Sequence, residues 1–153
     1  VDWELHLAGS TTIKFNLYME ELYKKNSSLK KKIILHGNLN RTELFNLLNK
    51  SKIFCLPSRY EGWANVYSEA MYFSNAIITT CNSSLRDIII EKKCGHIISP
   101  GEIKELTNSL ISIINDPILN EKYCKNSRVF CQQNLNWNLI VNELYNNLKK
   151  NKL

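Results

Sequence analysis

Residues 56–71 read LPSRYEGWANVYSEAM and join the end of a strand, a turn and the start of a helix. The stretch closes a short apolar run, turns through Pro57 and Gly62, and then takes on a helical pattern. It carries two carboxylates, Glu61 in the loop and Glu69 eight residues later, near the start of the helix. A strand that leads through a short polar loop into a helix is the repeating unit of parallel α/β sheets. This stretch therefore predicts the fold class.

The rest of the chain alternates in the same way. Short, almost continuously apolar runs, typical of buried parallel strands, lie at 4–8, 33–36, 53–56, 76–80 and 96–99. Helical periodicity is predicted near 13–25, 42–50 (capped by Thr42), 66–73, 84–91, 103–115, 119–133 and 137–149, with Pro117 as a break. We predict a doubly wound, Rossmann-like parallel sheet of about five strands flanked by helices, in one domain that covers 1–153.

Glycines mark one edge of the predicted sheet. Gly9 and Gly37 each follow a strand, and Gly62 lies in the loop after a third strand. Open α/β sheets bind ligands outside the carboxyl ends of their strands, where a backbone without a side chain allows close approach. We expect the ligand edge to run through these three glycines, whereas Gly95 and Gly101 are expected to serve turns.

The chemistry of the loop at 58–68 indicates the class of ligand. A helix that begins near Ala64 or Asn65 presents free N–H groups and the positive end of its dipole, which together hold a phosphate. The carboxylates of Glu61 and Glu69 only accept hydrogen bonds, so sugar or ribose hydroxyls are natural partners for both. Two diols that bracket a diphosphate describe a nucleotide sugar.

Charge and composition exclude few partners. The net charge is +6, and lysines concentrate in two places, at 24–25 with 30–32 and in KKNK at 149–152. This balance allows an anionic membrane surface, nucleic acid or a phosphorylated ligand, although such runs are more often solvated faces. We expect no nucleic-acid role, because basic and aromatic residues do not alternate along any stripe.

Scattered cysteines and histidines indicate no metal site. The five cysteines form no CxxC pair, and the three histidines have no partner at metal spacing, so we expect free thiols in a reducing compartment.

The longest apolar runs, IFCLP and DIIIE, are far shorter than the ~18 residues of a membrane span. The chain begins with Val1 and opens on a strand, and we expect it to be a piece of a longer protein.

The string PS-x-x-EG-x6-EAM resembles the donor-binding signature of GT-B glycosyltransferases of family 4, the glycosyl transferases group 1. The likeness extends over about the whole chain. LHLAGS is similar to the family's second strand, and the segment from IILHG to LPS is similar to the strand, glycine, helix and strand that lead to PS. SSLRDII, CGHIISP and NSRVFCQQNLNW resemble later family segments.

The resemblance implies a role for each matching residue. Glu61 would be the catalytic residue, positioning the transferred sugar through its hydroxyls and not acting as a nucleophile, and Glu69 would hold the ribose diol. Together with Gly62, the loop would supply backbone amides to sugar and phosphates, at Trp63, Ala64, Asn65 and Val66. The nucleobase would lie near Gly37, Asn38 and Leu39.

Some positions depart from the family pattern. Ser74, Asn75 and Ala76 replace a G-x-P, and Ser83, Ser84 and Asp87 replace a Gly pair followed by Glu. Ala64 stands where a glycine is common and implies an ordinary entry into the helix. The family's first strand, with an Arg and a Lys that neutralise the diphosphate, and its acceptor-binding N-terminal domain have no counterpart in this chain. We therefore expect five strands with an incomplete middle.

The resemblance implies that the intact protein transfers a sugar from a UDP- or GDP-linked donor to a glycan or lipid acceptor, with retention of configuration and without cofactor or metal. It implies a C-terminal donor-binding half that is inactive alone, in the cytoplasm or at the inner face of the membrane, where polysaccharide is assembled. Two alternatives stay open: a non-catalytic nucleotide- or polyanion-binding module, and an inactive fragment.

Overall fold

Five strands, each paired in parallel with its neighbour, alternate with helices in the computed structural model, which describes residues 3–150. The strands are β1 (Leu5–Ala8), β2 (Ile33–Gly37), β3 (Ile53–Leu56), β4 (Ala76–Thr80) and β5 (Gly95–Ile98). The helices are α1 (Ile13–Lys25), α2 (Arg41–Lys50), α3 (Asn65–Tyr72), α4 (Arg86–Lys92), α5 (Ile103–Asn115), α6 (Pro117–Asn134) and α7 (Trp137–Lys150), with a 3-10 turn at Ser27–Lys31. The predicted α/β class with parallel strands flanked by helices is confirmed.

The strands form two ladders. β1 pairs with β2, and β4 lies between β3 and β5, with every pairing parallel. Within residues 3–150 no ladder joins the first sheet to the second, as expected for an incomplete middle. The chain divides into two compact units, Val1–Leu47 and Leu48–Leu153, and the assignment of 1–153 to a single domain stays a prediction.

Helices α2 and α6 begin earlier than their periodicity predicts, each because of its cap. Asn40, not Thr42, caps α2: the Glu43 N–H donates to Asn40 Oδ1 at 3.0 Å and the Asn40 N–H donates to Glu43 Oε2 at 2.8 Å. This reciprocal capping box satisfies two N–H groups at once, which a cap at Thr42 does not achieve. Pro117 is the first residue of α6, and Asp116 caps it through a 2.9 Å bond from the Leu119 N–H. Proline fits this position because its missing N–H is not needed there.

β4 is the centre of the second unit, and all five of its residues are buried. Ala76 and Ile78 pack with Ile98 of β5 and Ile113 of α5 in one core cluster. Alternate residues point to opposite faces of a strand, so Thr79 faces the other side, where α3 covers it. Burial on both faces explains why AIITT contains no charged residue.

Gly95 does more than make a turn. It opens β5 opposite Ile77, and a Cβ placed on it would lie 1.7 Å from the Ile77 carbonyl oxygen. The expectation of a simple turn is therefore wrong here: the close approach of β4 requires a residue without a side chain.

Gly95→Ala is expected to lower the free energy of unfolding by about 3 kcal/mol or more, because β5 must shift away from the buried β4. Urea unfolding followed by circular dichroism measures the change. Gly62→Ala is the matched control, because a Cβ at Gly62 meets nothing within 4 Å. Equal stability of the two variants would contradict the close-approach argument.

Ser74 links α3 to β4 in the left-handed region, with φ of 61°. This is the position where the resemblance expects glycine. The neighbouring Asn75 is fully buried, and its Nδ2 donates to the carbonyls of Leu48 at 3.0 Å and Ser51 at 2.7 Å. The Asn75 amide thus holds the connection in place, while Ser74 bears the backbone cost that a glycine avoids.

Ser74→Gly is expected to raise the free energy of unfolding by about 0.5–1 kcal/mol, because glycine adopts positive φ without steric cost. Urea unfolding tests this, with Ser74→Ala as the control that removes the hydroxyl and keeps the Cβ. A gain in the alanine variant equal to that in the glycine variant would contradict the backbone explanation.

In the first unit, α1 is capped by Thr12, whose Oγ1 accepts from the Phe15 N–H at 3.2 Å.

Three polar side chains lie in a row across the β1–β2 pair: His6 Nδ1 lies 2.9 Å from His36 Nε2, and His6 Nε2 lies 3.2 Å from Glu4 Oε2. One of the two facing imidazole nitrogens must donate and the other must accept, so the bond forms only while one of them lacks its proton.

All five cysteines are free thiols. Burial raises the pKa of Cys55 on β3 to about 11, and it also raises the pKa of the Cys94, Cys124 and Cys131 thiols. Cys81, which follows β4, is exposed. The thiolate is the reactive form, and at pH 8 a thiol of pKa about 11 is ionised in only about one molecule in a thousand.

Iodoacetamide at pH 8 is therefore expected to modify one thiol per folded chain rapidly, with Cys81→Ser removing that fast phase and urea releasing the remaining thiols. The rate at Cys55 should rise about tenfold per pH unit towards pH 11, because its thiolate fraction does. Mass spectrometry of quenched samples follows each site. A fast phase that survives in Cys81→Ser would contradict the assignment.

Candidate functional site

The loop between β3 and α3 is held at its start by two threonines that end β4. Thr79 Oγ1 donates to the carbonyl of Leu56 at 3.3 Å, and Thr80 Oγ1 donates to the carbonyl of Ser58 at 2.7 Å. Both threonines are fully buried. Hydrogen bonds replace apolar contacts at the carboxyl end of β4, and they fix the point where the loop leaves the sheet.

Further along, the segment after β4 holds the loop at Glu61. Asn82 Nδ2 donates to the carbonyl of Arg59 at 2.9 Å, and the Asn82 carbonyl lies 3.5 Å from the Glu61 N–H. The Ser84 N–H donates to the Glu61 carbonyl at 3.3 Å, so Glu61 forms an isolated parallel bridge with Ser83. The backbone of Glu61 is fixed on both sides although it lies in a loop.

Helix α3 begins at Asn65, as predicted, without a side-chain cap. Ala64 precedes it with φ of −73° and ψ of 128°, the ordinary entry expected for alanine. The Ala64 N–H donates to the Gly62 carbonyl at 3.1 Å, whereas the N–H groups of Trp63, Asn65 and Val66 donate to no described residue. Three of the four predicted amides are therefore available to a ligand, and the Ala64 amide is engaged.

Gly62 lacks a positive φ, and a Cβ there would meet nothing within 4 Å. The turn that precedes α3 is closed instead by the bond from the Ala64 N–H to the Gly62 carbonyl. Because Gly62 has no side chain, the surface beside the N–H groups that begin α3 is open to a ligand.

The two carboxylates are half-buried and unpaired. Neither the Glu61 nor the Glu69 side chain forms a hydrogen bond or an ion pair with a described residue. Arg59, the cation nearest to Glu61 in sequence, is exposed and forms no ion pair with either carboxylate within the described residues, and Arg86 pairs with Asp87 at 3.4 Å. Their full acceptor capacity is therefore open to hydroxyl donors.

Trp63 is oriented by helix α3, which follows it in the chain. Its indole Nε1 donates to Ser68 Oγ at 3.0 Å, which holds the ring against the first turns of α3. Trp63 and Asn65 are exposed and Val66 is half-buried, so these loop residues are accessible from solvent.

The residues predicted to contact the nucleobase lie in the first unit. Gly37 ends β2 with φ of 64°, and its carbonyl accepts from the Gly9 N–H at 2.7 Å. Asn38 is exposed and Leu39 is half-buried. In the same unit, a cavity of about 360 Å³ follows β1 and is lined by residues from Leu7 to Thr12 and by Phe15. Gly9 and Gly37 thus lie together at the carboxyl ends of β1 and β2.

Sequence reasoning missed the residues that hold the loop, namely Thr79, Thr80 and Asn82. A signal was present, because two threonines ending a strand that is otherwise wholly apolar have to find hydrogen-bond acceptors when buried. Which carbonyls they reach follows only from the pairing of β3 with β4.

Within residues 3–150, no group of three or more His, Cys, Asp or Glu side chains is arranged to hold a metal ion. In the same part of the chain, no helix is both long enough and apolar enough to cross a bilayer.

The family model for glycosyl transferases group 1 matches residues 1–130, so the chain belongs to this family. An uncharacterized glycosyltransferase of Haemophilus influenzae is 27% identical over 136 residues, which cover 86% of this chain and 36% of that protein. The chain therefore spans about a third of that relative's length. The family resemblance read from the sequence is confirmed.

Solved structures show the same fold. The C-terminal domain of LpcC, a glycosyl transferase group 1 family protein from Francisella tularensis, aligns with a TM-score of 0.79 at 24% identity, covering 89% of this chain and 71% of that one. Anabaena HepE in complex with UDP aligns with a TM-score of 0.77 at 18% identity, covering 97% of this chain and 41% of that one. The fold is that of the C-terminal domain of a GT-B glycosyltransferase.

Proposed function

We propose that this chain is the donor-binding part of a glycosyltransferase that transfers a sugar, with retention, from a UDP- or GDP-linked donor. The observation that carries the proposal is the fixed loop at 57–64. It fixes the backbone of Glu61 a few residues before the free amides that begin α3, and the unpaired Glu69 lies further along that helix. Binding of UDP by the structurally similar HepE supports the nucleotide part of the donor.

Each element has a distinct role in this proposal. Glu61 accepts hydrogen bonds from hydroxyls of the transferred sugar, and Glu69 accepts them from the ribose diol. The amides of Trp63, Asn65 and Val66, in the accessible surface left by Gly62, face the diphosphate. Gly37, Asn38 and Leu39 remain the predicted contacts of the nucleobase.

The chemistry requires stabilisation of the departing diphosphate rather than a nucleophile on this loop. Charge develops on the diphosphate as the bond to the sugar breaks, and preorganised N–H groups at a helix start stabilise such charge at little reorganisation cost. The two unpaired glutamates oppose that charge, so cations are needed nearby. We place those cations and the acceptor-binding domain in the rest of a longer protein, which agrees with the share of the Haemophilus relative that this chain spans.

We further propose that the protein works without metal or cofactor in the cytoplasm, with a glycan or lipid as acceptor. A net charge of +6 supports a peripheral association with the anionic inner face of a membrane.

Calorimetric titration of the complete protein with UDP- and GDP-sugars, and with the free nucleotides, tests the proposal. Glu61→Gln is expected to weaken binding of the nucleotide sugar by about 10- to 100-fold and to leave binding of the free nucleotide nearly unchanged, because only the sugar contact is lost. Glu69→Gln is expected to weaken both, because the ribose belongs to both ligands.

Glu91→Gln is the matched control, since Glu91 is exposed on α4 and pairs with Lys92. It should bind every ligand like the wild type. Unchanged binding of the nucleotide sugar by Glu61→Gln would overturn the role of that carboxylate. Equal binding of free nucleotide and nucleotide sugar, without transfer, would favour the non-catalytic module.

A further inference from the structure

A buried hydroxyl pair lies directly behind the candidate site. Tyr67 on α3 and Thr79 on β4 are both fully buried, and Tyr67 Oη lies 2.6 Å from Thr79 Oγ1. The Tyr67 ring packs edge-on against Phe54 of β3, with centroids 5.8 Å apart and planes at 86°. A phenol and a hydroxyl in this setting have to satisfy each other, because no water reaches them.

The acceptors available to Tyr67 and Thr79 determine which hydroxyl donates in each hydrogen bond. Thr79 Oγ1 also lies 3.3 Å from the Leu56 carbonyl, which only accepts hydrogen bonds. The single hydroxyl proton of Thr79 therefore goes to Leu56, and the Tyr67 hydroxyl donates to Thr79. The result is a directed chain from α3 through β4 to the last residue of β3.

This chain spans the segment that carries the site. Leu56 is the residue from which the loop with Glu61 departs, and Tyr67 lies in α3 two residues before Glu69. Along the sequence, Glu61 and the three free amides lie between Leu56 and Tyr67, the two ends of this hydrogen-bonded chain. Glu69 follows Tyr67 within one helical turn. This internal bond ties α3 to the point where the loop begins, in addition to the bonds from Thr80 and Asn82.

We propose that Tyr67, through Thr79, is a positioning residue for the donor site, an inference that rests on the proposed function. The Tyr67 hydroxyl does not touch the donor. It fixes α3 against the origin of the loop, so that the α3 amides and Glu69 have the right spacing from Glu61. Tyr67→Phe keeps the ring and deletes only the hydroxyl, so it removes this restraint with the smallest available change in packing.

The test measures binding of UDP-glucose and GDP-mannose to the complete protein by calorimetry at 20 °C, with the free energy of unfolding measured in parallel. Tyr67→Phe is expected to weaken binding of the accepted donor by about five- to twentyfold. Thr79→Val is expected to weaken it at least as much, and the double variant no more than Thr79→Val alone, because the two residues act as one unit. Thr79→Ser keeps the hydroxyl and should restore binding.

Ser127→Ala tests whether a loss of stability alone is enough to weaken donor binding. Ser127 is also fully buried, and its hydroxyl donates to the Cys94 carbonyl at 3.5 Å, far along the chain from the loop. Its removal should lower stability without weakening donor binding. Donor binding by Tyr67→Phe equal to the wild type, or an equal loss in Ser127→Ala, would overturn the inference while leaving the proposed function standing. Failure of the wild type to bind any UDP- or GDP-linked sugar, or the free nucleotides, would overturn both.

Discussion

The complete burial of β4 is the constraint on which the second unit depends. A strand covered on both faces has to be apolar along its length, and its few polar groups have to find internal partners. In Ala76–Thr80 the apolar residues come first, and the two threonines come last, at the edge where the loop leaves β3. The same strand therefore builds the core at one end and anchors the candidate site at the other.

The loop between β3 and α3 is accessible to solvent, yet its backbone is held in a fixed position by hydrogen bonds. Loops that bind ligands are usually among the less stable parts of a fold. Here the backbone at Leu56, Ser58, Arg59 and Glu61 is bonded to β4 and the residues that follow it. The side chains of Glu61 and Glu69 have no hydrogen-bond or ion-pair partner within residues 3–150, so their oxygens can accept hydrogen bonds from a ligand while their backbone is restrained.

The prediction from sequence succeeded where a local pattern carried the information. Strands β3 and β4 and the start of α3 at Asn65 were placed correctly, because short apolar runs and a helical period depend on nearby residues. The cap of α2 was predicted at Thr42 but lies at Asn40, since a capping box with Glu43 satisfies more N–H groups. Gly95 was assigned to a turn, because a close approach between two strands leaves no local trace.

The sequence by itself determined the parallel α/β class, the family, and the segment that carries Glu61 and Glu69. Those conclusions depend on residue order and spacing, which are local quantities. Only the tertiary structure decided that Thr79, Thr80 and Asn82 hold the loop, that Tyr67 bonds to Thr79, and that the Ala64 amide is engaged while its neighbours are free. The reason is physical: a hydrogen bond between β4 and the loop depends on which strands lie side by side, and residues distant in the chain meet only when the sheet forms.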